Sequence, residues 1–171
     1  IKITGSQGKI MKESVTFAFT IAMNLIKYEF REKFFELCPY GLHIHTPDGA
    51  TPKDGPSAGS AFTTAFISRI LNKKIKNDIA LTGEIELNGN ITAIGGLAYK
   101  LKGALKAGVK TVFIPKENKE DLEKIFKKDK ILEKELVIHL VDHISEILKY
   151  ALIEDSDNTN SVQYFDPKIY L

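Results

Sequence analysis

Eight residues constrain this chain more than any others: Pro52-Lys53-Asp54-Gly55-Pro56-Ser57-Ala58-Gly59. Two prolines and two glycines stop regular structure there, and a periodic apolar run (Ala58, Ala61, Phe62, Ala65, Phe66, Ile70) begins at once. Proline is favoured in the first turn of a helix, so the pattern predicts a tight loop turning into a helix from Ser57 to about Leu71. Unpaired backbone N–H groups collect at a helix start, and the helix dipole favours negative charge there. A serine so placed fits an N-cap and also fits a nucleophile; taken alone, the position favours the N-cap. Ser57, Ala61, Thr64, Ala65 and Ser68 form a face of small residues that predicts close approach by another element.

A second segment, Thr92-Ala93-Ile94-Gly95-Gly96-Leu97-Ala98-Tyr99-Lys100, changes that balance. A Gly-Gly break precedes a predicted helix that runs to about Ala107. At about 100° per residue its lysines separate. Leu97, Leu101, Ala104, Leu105 and Gly108 form an apolar stripe; Lys100 falls on its edge, while Lys102, Lys106 and Lys110 fall on the other side. Three of these lysines read as solvated charges. The fourth is drawn towards small residues and the core, where a desolvated amine loses proton affinity and can serve as a general base. A lysine that snorkels its head back to water fits the same position.

Together the two segments resemble the proteolytic domain of the Lon family of ATP-dependent serine proteases. Pro52 to Gly59 reads as that family's nucleophile motif, and Gly95-Gly96-Leu97 with Lys100 reads as its lysine motif. Leu81-Thr82-Gly83-Glu84-Ile85 matches the family's Thr-Gly-Glu strand, and Thr111 to Asn118 matches its next strand and loop. The resemblance covers residues 1–153, and 154–171 is expected to be a flexible tail. It departs at Ala98-Tyr99, at the charged stretch from Lys127 to Glu135, and in that tail. It implies an α/β (α+β) fold, a mixed sheet with packed helices related to a ribosomal-protein domain. It also implies a Ser57–Lys100 dyad without metal, with Thr82 bonding the lysine amine and Asp54 regulating access. His43 and His45 would support the loop, and Glu13 would lie near the site. Unfolded or damaged proteins would be the substrates. A hexamer would form in the intact protein, and an ATPase module outside this chain would hold ATP and Mg. No cofactor is expected in this chain.

The remaining composition is consistent with that expectation. The chain has 171 residues, 43% hydrophobic and 27% charged, enough for one domain with a core. A net charge of +2 offers no broad basic field for nucleic acid or membrane. Arg31 and Arg69 are the two arginines, which argues against fork-like phosphate recognition. Cys38 stands alone, so no internal disulfide forms, and a reducing compartment fits, either a mitochondrial matrix or a bacterial cytoplasm. The sequence starts at Ile1 and reads as the C-terminal part of a longer protein. Gly5-Ser6-Gln7-Gly8-Lys9 only echoes a phosphate loop, so ATP binding by this chain itself is not expected.

Along the chain, a strand ends at Thr4, a turn follows to Gly8, and one long helix is expected from about Lys12 to Leu37, ended by Pro39. Tyr40 to Thr46 alternates as a strand, with His43 and His45 on one face. With Asp48 and Asp54 downstream, that face permits a rival reading as a metal-dependent hydrolase. A second rival is a non-proteolytic Lon-like assembly domain. Asp78–Glu86 and Asn90–Ala93 read as a hairpin around Asn88-Gly89. A strand at Thr111–Ile114, a short helix at Lys119–Phe126, a solvated loop at Lys127–Lys130, a strand at Leu136–Val141 and a helix from His143 to about Leu152 complete the reading. His139 and His143 read as structural.

Overall fold

The structure, a computed structural model, describes residues 1–154, 164 and 165. In chain order its elements are β1 (Lys2–Thr4), α1 (Lys9–Leu25), α2 (Tyr28–Leu37), β2 (His43–His45), α3 (Gly59–Leu71), β3 (Ile79–Leu81), β4 (Glu84–Ile85), β5 (Ile91–Thr92), α4 (Leu97–Lys106), β6 (Thr111–Pro115), α5 (Lys119–Lys128), α6 (Lys130–Glu135), β7 (Val137–Val141) and α7 (Ile144–Ala151). All five residues of β6 are buried, as expected of a parallel strand covered on both faces. It lies at the centre of a parallel sheet in the order β3-β6-β7. Its side chains alternate between two cores. Phe113 joins Val15, Ala18, Ile67, Ile144 and Ile147, while Val112 and Ile114 join Leu97, Leu101, Leu122 and Leu132.

The fold is of the expected α/β class, and both parallel and antiparallel pairing occur. The pairing is divided among three small sheets, since β1-β2 and β4-β5 each pair separately. The expected long helix is two helices. Ile26 and Lys27 are extended, Ile26 bridges Phe165, and the Lys27 N–H donates to the Tyr164 carbonyl at 3.0 Å. The Lys27 N–H thus bonds a distant segment in place of a helical carbonyl, and this breaks a periodicity that was locally continuous. Most of the expected 154–171 tail lies outside the described residues; of its described members, Tyr164 and Phe165 pack at this break.

The expected strand over Asp78–Glu86 is also interrupted. β3 stays with β6, Thr82 and Gly83 turn away, and β4 begins a hairpin with β5 in the register Glu84↔Thr92, Ile85↔Ile91. The Lys127–Lys130 run is not a loop. Asp129 caps α6 by accepting the Leu132 N–H at 3.1 Å, and Leu132 is buried. Burying one leucine is worth about 1.5–3 kcal/mol, while the flanking lysines and glutamates keep their heads in water, so this charged stretch folds. The small-residue face of α3 is only partly the buried one: Ala65 is exposed, and Gly59, Ser60, Thr63 and Ile67 face the core. His143 is structural, as the N-cap of α7 in a capping box with Glu146, and His139 stacks on Phe113.

Candidate active site

Ser57 lies two residues before α3, in the turn that closes when the Gly59 N–H reaches the Pro56 carbonyl at 3.1 Å. It is not the N-cap. Ala58 holds that position, and no side chain caps the helix. The Ser57 hydroxyl instead meets Lys100, whose Nζ is 3.0 Å from Oγ. Both residues are half-buried, whereas Lys102 and Lys106 are exposed on the far side of α4. Lys100, Lys102 and Lys106 thus keep their expected sides of α4, while Lys110 is exposed but lies beyond the end of that helix.

The Ser57 turn is fixed from several directions. Its carbonyl accepts the Gly83 N–H at 2.8 Å and the Thr82 hydroxyl at 3.2 Å, and the Ser60 N–H donates to the Gly83 carbonyl at 3.1 Å. Thr82 thus serves the backbone of Ser57, and its expected bond to the lysine amine is not formed. The Thr82 N–H still holds the Phe113 carbonyl of β6 at 3.1 Å, and this directs its side chain at the turn. Ser14, buried in α1, donates to the Pro56 carbonyl at 3.3 Å. Gly59 packs so closely on β4 that a Cβ there would lie 2.7 Å from Ile85 Cγ2 and 3.0 Å from the Ile85 nitrogen. The site lies beyond the carboxyl ends of β3 and β6, where open parallel sheets place ligands.

Asp54 caps α1 across the chain. Its Oδ1 accepts the Met11 N–H at 2.8 Å and the Gly55 N–H at 2.9 Å. Only a glycine fits at position 8, because a Cβ there would fall 2.3 Å from the Asp54 carboxyl carbon. The Met11 N–H first, then that of Gly55, hold the Asp54 carboxyl below its usual value of 3.8. A depressed carboxylate stabilises the fold at pH above its unfolded value, and that contribution is lost as pH falls through the lower folded value. Asp54→Asn should therefore lower the thermal midpoint at pH 7, with the difference from wild type vanishing as pH drops through the acid range. A constant difference from pH 7 to pH 2 would contradict this assignment.

His43 Nε2 and His45 Nδ1 both bond Thr4 Oγ1, at 2.8 and 2.9 Å, and tie β2 to β1 in the register Thr4↔His45. The loop between this pair and Ser57 is closed by Lys53, whose Nζ donates to the carbonyls of Gly5, Asp48 and Thr51. Among the described residues, no three His, Cys, Asp or Glu side chains stand together as a metal site, so the metal-hydrolase reading has no ligand set here. Glu13 lines a cavity of about 170 Å³ with Phe17, Pro56 and Glu84, beside the Ser57 turn. Ser14 is a structural partner of the site that the sequence did not mark, while Lys53, Gly59 and Gly83 stood inside its motifs without an assigned role. A small or glycine residue signals close approach, but sequence does not say to what.

The fold and the site define an α/β domain with a serine hydroxyl and a lysine amine in hydrogen-bond contact at the sheet's carboxyl edge. A family model, the Lon protease C-terminal proteolytic domain, matches residues 1–154. The chain belongs to that family. Similar proteins include a Lon protease homolog of Acanthamoeba polyphaga mimivirus, 52% identical over 149 residues covering 86% of this chain and 14% of the relative. The Lon protease of Haemophilus influenzae is 47% identical over 157 residues, 89% of this chain and 18% of the relative. That of Fervidobacterium nodosum is 41% identical over 154 residues, 90% of this chain and 18% of the relative. The chain thus spans less than a fifth of the length of these relatives. No helix among the described residues is long and apolar enough to cross a membrane.

Proposed function

We propose that this domain hydrolyses peptide bonds through a Ser57–Lys100 dyad, acting on unfolded or damaged proteins delivered by an ATPase module elsewhere in its parent protein. The contact of 3.0 Å between Lys100 Nζ and Ser57 Oγ carries the reading. With the amine neutral, the same contact runs in reverse, and the serine hydroxyl donates. Lys100 takes that proton as Oγ bonds to the substrate carbonyl carbon. Lys100 then returns the proton to the departing amine, which leaves an acyl-enzyme. Water, deprotonated by the same lysine, cleaves the ester and restores Ser57. A Ser–Lys pair is a known variant of triad chemistry.

The developing oxyanion needs donors. Around the turn, the Gly55, Gly59 and Ser60 N–H groups are already bonded, to Asp54, Pro56 and Gly83. Among the described residues, the Ser57 and Ala58 N–H groups carry no such bond and are the donors this reading assigns. One such donor is typically worth about 2.7–4 kcal/mol. ATP and Mg would act at the separate module, and the family resemblance extends the reading to a hexamer.

The test is covalent capture. An alkyl fluorophosphonate added to the intact parent protein should leave a single adduct on the peptide that contains Ser57, and proteolysis should stop in step. An adduct elsewhere, or none while cleavage stops, would overturn the assignment of the nucleophile.

A further inference from the structure

We propose that Asn118 is a positioning residue for Lys100, acting through the Ala93–Ile94 segment from which α4 departs; the inference rests on the dyad reading above. Asn118 is 1% exposed and follows β6. Its Oδ1 accepts the Ile94 N–H at 3.0 Å, and its Nδ2 donates to the Ile94 carbonyl at 2.9 Å and to Asp121 Oδ2 at 3.0 Å. One carboxamide thus holds both polar groups of a single backbone residue, as a neighbouring strand would. Glu117 adds a second tie by accepting the Ala93 N–H at 2.7 Å.

The next two residues explain why such a clamp matters. Gly95 and Gly96 form the break before α4, and a Cβ on either would meet nothing within 4 Å. Both glycines are exposed. The helix start is located by the clamp on one side and by buried Leu97 on the other. Lys100 lies within the first turn, its N–H on the Gly96 carbonyl at 3.2 Å, and its amine must reach Ser57 on a flexible four-carbon stem. Meanwhile Phe113 of β6 anchors Thr82, which holds the Ser57 carbonyl. The carboxyl end of one strand therefore places both halves of the dyad. A displacement of about 1 Å in a reacting group can cost about 10²-fold in rate.

The test uses the intact parent protein with ATP and an unfolded protein substrate. Asn118→Asp keeps the acceptor for the Ile94 N–H but sets a carboxylate against the Ile94 carbonyl and Asp121. We expect kcat to fall about 10- to 100-fold with KM within about twofold. Phe34→Leu, which thins the other core within α2, controls for lost stability and should lower Tm while keeping kcat within about twofold. If Asn118→Asp does not fold, Glu117→Gln loosens the second tie and should lower kcat several-fold at unchanged KM. Retention of kcat in the clamp variant, or a loss of kcat in both variants that tracks their loss of Tm, overturns the positioning role while leaving the dyad intact. Cleavage that survives in Ser57→Ala overturns the dyad and the positioning role together.

Discussion

Lys100→Arg in the intact parent protein is expected to abolish peptide-bond cleavage, with a fall on the order of 10⁴-fold, as severe as that of Ser57→Ala. The substitution isolates one property. Arginine keeps the positive charge, a long apolar stem and N–H donors that can still reach Ser57 Oγ. It cannot give up its proton in a protein, so it can hold the serine but cannot activate it. Lys102→Arg, one turn position away on the exposed side of α4, supplies the contrast and should cleave as wild type does. ATP hydrolysis should persist in both variants, because the proposal assigns ATP binding to a module outside this domain. The measurement is degradation of an unfolded protein with ATP turnover followed in parallel. Near-normal cleavage by Lys100→Arg would mean that the contact of 3.0 Å is structural and that another group takes the serine proton.

The family resemblance joined Ser57 to Lys100; what the residues alone made legible was the placement of each, and that has a local cause. The glycine break and the helical spacing after it are both short-range, so they place Lys100 on the edge of the α4 stripe without reference to the rest of the chain. The Pro-Gly loop before Ser57 is equally local. What sequence could not supply were choices made by distant partners. The break at Ile26–Lys27 exists because Tyr164 and Phe165 pair there, and nothing in the α1–α2 periodicity announces it. Thr82 looks like any β-branched strand residue. Its hydroxyl serves the Ser57 carbonyl only because its N–H stays with β6 as the strand ends. Asp54 was readable as a turn residue, yet its principal partner is the Met11 N–H on a helix 43 residues earlier. The α6 helix was hidden by its own charges, since a single buried leucine and one aspartate cap outweigh a stretch that is otherwise polar.

Gly59→Ala carries the second large effect, and two opposing forces decide its sign. In an exposed helix the change should help, because glycine loses more backbone entropy and costs about 0.5–1 kcal/mol relative to alanine. At position 59 the added methyl would lie 2.7 Å from Ile85 Cγ2, 3.0 Å from the Ile85 nitrogen and 3.1 Å from Ser14 Oγ. A side-chain tip can turn aside, but the nitrogen belongs to β4, which is paired with β5 and cannot move alone. Overpacking of this kind costs about 1–3 kcal/mol and exceeds the propensity gain. Relief must come from the start of α3 backing away from β4, and Ser57 is two residues from that point. The variant should therefore lose about 1–2 kcal/mol of net stability and about 10²-fold in kcat, with the Lys100 contact lengthened. Gly103→Ala in α4 gives the opposite expectation, since a Cβ there meets nothing within 4 Å and the fold should gain up to about 1 kcal/mol. Thermal midpoints and degradation rates for the two variants separate the forces. A Gly59→Ala protein more stable than wild type and equally active would show that β4 yields, and that the close approach of α3 to β4 does not hold Ser57 in place.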